Sequence, residues 1–350
     1  MAVQDQMLPH ILVQSAIDGE SVGPLIAEAQ AFANSQASTV EWYAALAGVT
    51  VTEATNLAPD IDLLPWSDVP DSHQKRVFSG AFENRELLSG PAFMQFPTAA
   101  TSAVRIRQAK RQVLYSRSEA AKIAFDATAS EVAAQRERVQ DVVRSLTALS
   151  VCAVAAIGYW TQLGQKIANR IGGIGYSYDG ALFETAVRTA SSKPIALDGQ
   201  SVVLLFRRFE RFEPSDKTAL RVALDRLNQA LRERDIVDSA IDVGIALEVI
   251  LLHGFGANDR GELRFRASIR GAAFLGGDKA ERLKTFNVLK DAYDLRSRAV
   301  HSGRLEKGKR AMEPKQKLEE ANSICASIAR KVIERGSFPD WDSEYVIGGA

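Results

Sequence analysis

From Val243 to Leu252 the chain reads Val-Gly-Ile-Ala-Leu-Glu-Val-Ile-Leu-Leu, an apolar run in which Glu248 is the one ionisable residue. A helix that is hydrophobic nearly all round must be buried nearly all round, so the flanking sequence has to supply other helices to cover it. It does. After a break at Glu213-Pro214-Ser215-Asp216, which joins a helix-starting proline to N-cap residues, helical segments are predicted over about Lys217 to Arg232, Ile236 to Leu252, Glu262 to Leu275 and Lys279 to Val300. His253-Gly254 and Gly276-Gly277 stop the second and third, because glycine accepts the left-handed backbone that ends helices. Beyond a charged stretch at 307–315, Leu318, Ala321, Cys325, Ile328 and Val332 share one helical face and predict a further helix that completes the bundle.

At 350 residues the chain is long enough for two domains. The expected division is an N-terminal mixed α+β domain of unassigned role over 1–213 and a helical bundle with a C-terminal tail over 214–350, giving a mostly α protein. Between Thr39 and Arg107, Pro, Gly, Asp and Ser punctuate short apolar runs such as Val49-Thr50-Val51, which predicts strands and turns. From Ser118 to Ser150 there is no Pro or Gly, and Ile123, Val132, Val139, Val143 and Leu146 recur at helical spacing, which predicts one long helix. Ala148 to Trp160 is the longest apolar stretch. Interrupted by Ser150 and Gly158 and too short to span a bilayer, it reads as a buried core helix. Ser201 to Phe206 reads as a strand. Gly172-Gly173-Ile174-Gly175 lacks the spacing of a phosphate-binding fingerprint and reads as a loop.

Lys plus Arg equals Asp plus Glu at 43 each, so no global field attracts a polyanion or an anionic membrane, and any such site must be local. Arg outnumbers Lys, which favours bidentate phosphate contacts. Cys152 and Cys325 lie far apart without metal-ligand spacing, and no cluster of His, Cys and carboxylates marks a metal or cofactor site. The N-terminus has no basic-then-apolar signal pattern, so a reducing, cytoplasmic setting without membrane attachment is expected.

The chemistry-bearing segment is Arg296-Ser297-Arg298-Ala299-Val300-His301. An Arg a few residues before one of the four His is expected about once by chance, so the surroundings must decide. Phe286, Leu289, Tyr293 and Val300 predict one face of the fourth helix, with Arg296 on it. An inward guanidinium needs acceptors, supplied either by Glu248 on the apolar helix or by an anion in a cleft. Residues five apart lie about 140° apart on a helix, so Arg296 and His301 converge if the helix ends before His301. Arg298 and His301, three apart, share a face of an unbroken helix and keep Arg298 in play as a phosphate ligand. The plainer alternative pairs Arg296 with Glu248 and leaves His301 as a C-terminal charge on the helix dipole.

Taken in order, Ala246-Leu247-Glu248, then Leu263-Arg264-Phe265-Arg266 with Arg270-Gly271-Ala272-Ala273, then Leu289 to His301, and finally Gly336-Ser337-Phe338-Pro339-Asp340-Trp341-Asp342, the segments resemble the Apea-like branch of HEPN domains. The resemblance spans roughly the last 120 residues and does not reach the N-terminal part. It implies a helical bundle that dimerises so that two Arg-His pairs face one cleft, often an RNase of bacterial defence or toxin systems. By position, Arg296 and His301 become the catalytic pair with Ser297 in the polar slot, supported by Glu248, Arg298 and Tyr293. Many members hold Asn, Asp or His where Ser297 stands, and Gly follows their His directly, whereas Ser302 intervenes here. The implied function is metal-independent RNA cleavage by a homodimer, with a trigger or partner at the N-terminal domain. The alternative is a non-catalytic module that binds RNA, nucleotide or a protein partner.

Overall fold

In the computed structural model the described residues are 12–13, 15–17, 19, 21–34, 37–79, 99–111, 117–163, 176–177, 193–232, 235–254, 262–305 and 312–347. The Gly172 to Gly175 loop lies outside them. The chain divides into two compact units, one made of Met1–Leu46, Glu53–Gln140 and Ala156–Phe183, the other of Ala47–Thr52, Asp141–Ala155 and Glu184–Ala350. This differs from the expected boundary at 213/214: the helical unit also takes in 184–213 and two earlier segments. Such a chain returns to a unit it has already left, which a search for one linker cannot reveal.

The elements of the N-terminal half are α1 (Val22–Asn34), β1 (Ala37–Ala47), β2 (Val49–Thr50), β3 (Thr55–Ala58), β4 (Ile61–Pro65), α2 (His73–Phe78), β5 (Ser102–Arg111), α3 (Arg117–Leu149), β6 (Ala155–Leu163), β7 (Tyr176–Ser177) and β8 (Ile195–Ala196). Strands, turns and a long helix thus stand where they were expected. In the first unit the sheet order is β3-β4-β5-β1-β6-β7. Tyr43, Ala44, Ala45 and Leu46 of β1 are all buried, so this strand is covered on both faces and shows no alternation. Antiparallel pairing sets Tyr43 opposite Arg105 and Arg105 opposite Asp62. Arg105 accordingly donates to Asp62 through Nε at 3.1 Å and Nη2 at 2.9 Å.

The stretch Ala148 to Trp160 corrects the core-helix expectation. Its first residues end α3, where Ser150 donates both its N–H and its hydroxyl to the Leu146 carbonyl; 150–154 form a connection, and β6 begins at Ala155. A buried strand and a buried helix carry the same apolar signal over so short a run. Gly158 is a strand glycine of close approach: a Cβ there would lie 1.9 Å from Cζ of Phe78. Trp160, two residues on and on the same face, stacks with Tyr43 and Phe78 at centroid distances of 5.3 and 5.7 Å. Tyr159 faces the other way, taking a 3.0 Å hydrogen bond from Gln140 and the Arg136 guanidinium over its ring.

The second unit holds α4 (Gly199–Glu210), α5 (Pro214–Arg232), α6 (Ile236–Leu251), α7 (Leu263–Leu275), α8 (Lys279–Ser302) and α9 (Met312–Arg335). Among the described residues from 214 onward there are helices and no strand. The strand expected over Ser201 to Phe206 is instead α4, capped by Asp198. Val202, Leu205, Phe206 and Phe209 are its buried residues, a helical rather than alternating set, which the six-residue window was too short to expose. Helix α6 packs against α5, α7, α8 and α9 and is the centre of the bundle. No described helix is long and apolar enough to cross a membrane.

Two polar fastenings complete this unit. Asp141, at the end of α3, accepts from Arg221 (2.9 and 2.5 Å) and Arg144 (2.7 Å), with Lys217 at 3.4 Å. Arg144 also forks onto Asp225. The C-terminal tail is held by buried Arg270, which donates to Asp342 at 2.6 Å and to the Leu251 carbonyl at 2.8 Å, while Trp341 is buried against Phe274.

Burial pushes the Asp141 carboxyl up, but the donated hydrogen bonds and neighbouring cations outweigh it and hold it below the usual carboxylate range. Because the native value is depressed, the stabilisation is present above an unfolded value of about 4 and is lost as pH falls through the native one. Asp141→Asn leaves the cations facing a neutral amide and should lower stability at pH 7 by about 3 kcal/mol. Urea denaturation between pH 2 and 7 checks both points: the variant's acid limb should be flatter, and an unchanged limb would remove Asp141 from the linkage.

Candidate functional site

Helix α8 carries Arg296, Ser297, Arg298 and His301 and is fixed at both ends. Asp278 and Glu281 form a reciprocal capping box at its start, and Gly303, at φ 61°, ends it. Its buried residues are Val288, Leu289, Ala292, Leu295 and Ala299. The face expected from Phe286, Leu289, Tyr293 and Val300 is therefore only partly inward: Phe286 and Tyr293 are half-buried, and Val300 is 52% exposed. Arg296 stands at the rim of the buried stripe rather than within a stripe shared with Val300.

From that rim Arg296 turns towards α6. Its Nη2 donates to Oε2 of Glu248 at 3.3 Å, and the two side chains are 29% and 24% exposed. Its aliphatic stem fills the gap left by Gly244: a Cβ there would come within 2.5 Å of Cγ and 2.8 Å of Cβ of Arg296. The guanidinium Nε is buried without a hydrogen-bond partner. Burial holds the Glu248 carboxyl above its ordinary range, and the charge of Arg296 offsets part of that rise. Gly244 was missed as a site residue, although an isolated glycine within an apolar helix is itself a sign of close approach.

His301 is exposed in the last turn, and α8 runs unbroken through Ser302. The ending before His301 on which convergence with Arg296 depends does not occur. Helical spacing then sets Arg296 and His301 about 140° apart around the axis, so one chain does not turn them towards a common point. Arg298 and His301, three apart, lie on neighbouring exposed positions. Ser302, which follows the His, is engaged locally: its hydroxyl donates to the Arg298 carbonyl at 2.7 Å.

Ser297 and Arg298 line an open groove with Asp291, Asp294, Leu295 and Lys317. Lys317 pairs with Asp291 at 3.1 Å and Glu313 at 2.9 Å, and Asp294 pairs with Arg264 at 2.6 Å. Lys317, from α9, was absent from the sequence reading because nothing in a linear pattern brings residues 291 and 317 together. Tyr293 is half-buried. Among the described residues no group of three or more His, Cys, Asp or Glu is placed to hold a metal ion.

The arrangement offers a rim guanidinium bonded once to Glu248, an exposed imidazole five residues further on, and a polar groove lined by Ser297 and Arg298. No family model, curated protein or solved structure matches this chain.

The stem contact yields a test of how Arg296 is positioned. Gly244→Ala should destabilise by about 2 kcal/mol despite a helix-propensity gain of about 1 kcal/mol, because Cβ and Cγ of Arg296 lie too close to their own backbone to swing clear. In an Arg296→Ala background the penalty should shrink, since the Cγ overlap is gone. Equal penalties in both backgrounds, measured by chemical denaturation, would show that the two residues do not share that space.

Proposed function

We propose that the helical unit is a metal-independent endoribonuclease of the HEPN type, working as a homodimer through this unit. Its phosphate-binding cation is Arg296 and its general acid or base is His301. The observation that carries the reading is the state of Arg296: its stem is seated on Gly244, its side chain is 29% exposed, and it meets Glu248 through one contact of 3.3 Å. A guanidinium fixed by its stem and singly engaged by a carboxylate suits a phosphate whose charge grows in the transition state. His301 stands open to solvent, and an imidazole is the side chain suited to giving and taking protons near neutrality.

The 140° between them sets a condition. Arg296 of one chain and His301 of the same chain do not meet, so the cleft needs groups from a second copy. Ser297 supplies a hydroxyl to a phosphate oxygen, Arg298 a further cation, and Tyr293 a half-buried ring beside them. In the reaction the RNA 2′-hydroxyl loses its proton to an imidazole and attacks the adjacent phosphorus. The 5′-oxygen leaves with a proton, and a 2′,3′-cyclic phosphate results. A cytoplasmic setting and a trigger or partner at the N-terminal unit belong to the same proposal.

A second reading rests on its own observation. The intact α8 and the Arg296–Glu248 pair are also what a non-catalytic module binding RNA, nucleotide or protein would display.

Cleavage of single-stranded RNA by the full-length chain decides between them. His301→Ala should reduce the rate by about 10²-fold or more while changing stability by no more than about 1 kcal/mol. Products should end in 2′,3′-cyclic phosphate, chelators should leave the rate unchanged, and sedimentation at micromolar concentration should show a dimer. Equal rates for wild type and variant would point to another site. Binding without cleavage across varied RNAs would favour the module.

A further inference from the structure

The bond between Arg296 and Glu248 is longer than those of the two forked guanidinium–carboxylate pairs of its unit. It is one contact of 3.3 Å. Arg221 meets Asp141 through Nε at 2.9 Å and Nη2 at 2.5 Å, and Arg144 meets Asp225 through Nε at 2.9 Å and Nη2 at 2.8 Å. Two parallel N–H donors are the best match of this planar group to a carboxylate or a phosphate. By that standard Glu248 takes one N–H of Arg296 where a forked carboxylate takes two.

Two further facts separate the carboxylate from the job of holding the cation. The Arg296 stem lies in the Gly244 notch, within 3.5 Å of a Cβ position at Cβ, Cγ and Cδ alike, so packing already places the guanidinium. Both side chains are partly exposed rather than sealed in the core, at 29% and 24%. Glu248 thus contributes a charge at the mouth of the cation's binding face without being needed to orient it.

We propose that Glu248 is a displaceable internal counter-anion, which occupies the phosphate-binding face of Arg296 and yields it to a phosphate group of an incoming ligand. The inference rests on the reading of Arg296 as a phosphate-binding cation and adds that Glu248 opposes binding. Apparent affinity for phosphate is then the intrinsic affinity reduced by the fraction of time the guanidinium is released. Glu248 thereby sets a threshold: a ligand that engages the guanidinium with two oxygens displaces the carboxylate, and one that offers a single oxygen does so poorly.

The test uses the full-length chain as wild type, Glu248→Gln, Arg296→Gln and the double variant. Two probes, a 5′-labelled single-stranded RNA oligonucleotide and inorganic pyrophosphate, are titrated by anisotropy and calorimetry. Glu248→Gln should tighten both by about five-fold, the scale of one partly solvated ion pair. Arg296→Gln should weaken both, and the double variant should match Arg296→Gln. Should Glu248→Gln fail to fold, Glu248→Met removes the same charge and carries the same expectation. Glu248→Gln that weakens binding as Arg296→Gln does, leaves it unchanged, or binds neither probe overturns the proposal. Tighter pyrophosphate binding without RNA cleavage by any form keeps the counter-anion and sinks the ribonuclease. Cleavage that depends on His301, with no tightening in Glu248→Gln, does the reverse.

Discussion

The helical unit is organised by the need to bury α6. Ala240, Val243, Ala246, Ile250 and Leu251 have no measurable exposure, and the helix is covered from four directions by α5, α7, α8 and α9. Once a helix is surrounded, each polar group on it has to be answered from a neighbour. Ser239 donates to the Ala230 carbonyl, and Asp242, whose carboxyl burial holds above its usual range, takes a 2.9 Å bond from Arg226. Glu248 is answered by Arg296. The positions of the flanking helices are therefore set by apolar contact, and their polar residues fall where α6 requires a partner.

Seen from α8, the same constraint explains why the chemistry-bearing segment is split. Val288, Ala292, Leu295 and Ala299 must lie against the core, which turns Arg296 to one rim and leaves Arg298 and His301 on the outside. A helix that continued to Ser302 cannot bring both rims together. The glycine in α6 matters here because a side chain at 244 would push the Arg296 stem outward, and with it the guanidinium that reaches Glu248. The site is thus a by-product of close helix packing as much as of its own residues.

Much of the helical unit could be read in advance. Break, cap and stop residues placed α5 to α8 to within a few residues, an apolar stripe marked α9, and α6 was identified as central from its lack of polar positions. The pairing of Arg296 with Glu248 followed from asking what an isolated carboxylate and an inward arginine could each find. Errors arose where local pattern is degenerate. Ser201 to Phe206 looks like a strand until Phe209 and the Asp198 cap are included, and Ala148 to Trp160 looks like one helix until Asn228 is seen to take the Val154 N–H and return a hydrogen bond to its carbonyl.

The amino-acid sequence by itself determined which segments beyond residue 214 are helical, which of those helices is innermost, and that Glu248 is an ionisable residue held on it. These follow from local periodicity, capping and the solvation cost of charge, all of which act over a few residues. Tertiary structure alone decided that residues 47–52 and 141–155 belong with the bundle, that Gly244 makes room for Arg296, that Lys317 joins Ser297 and Arg298 at one groove, and that α8 stays whole past His301. Each of those depends on the shape and volume of side chains distant in the chain meeting in close packing, and no local pattern carries that information.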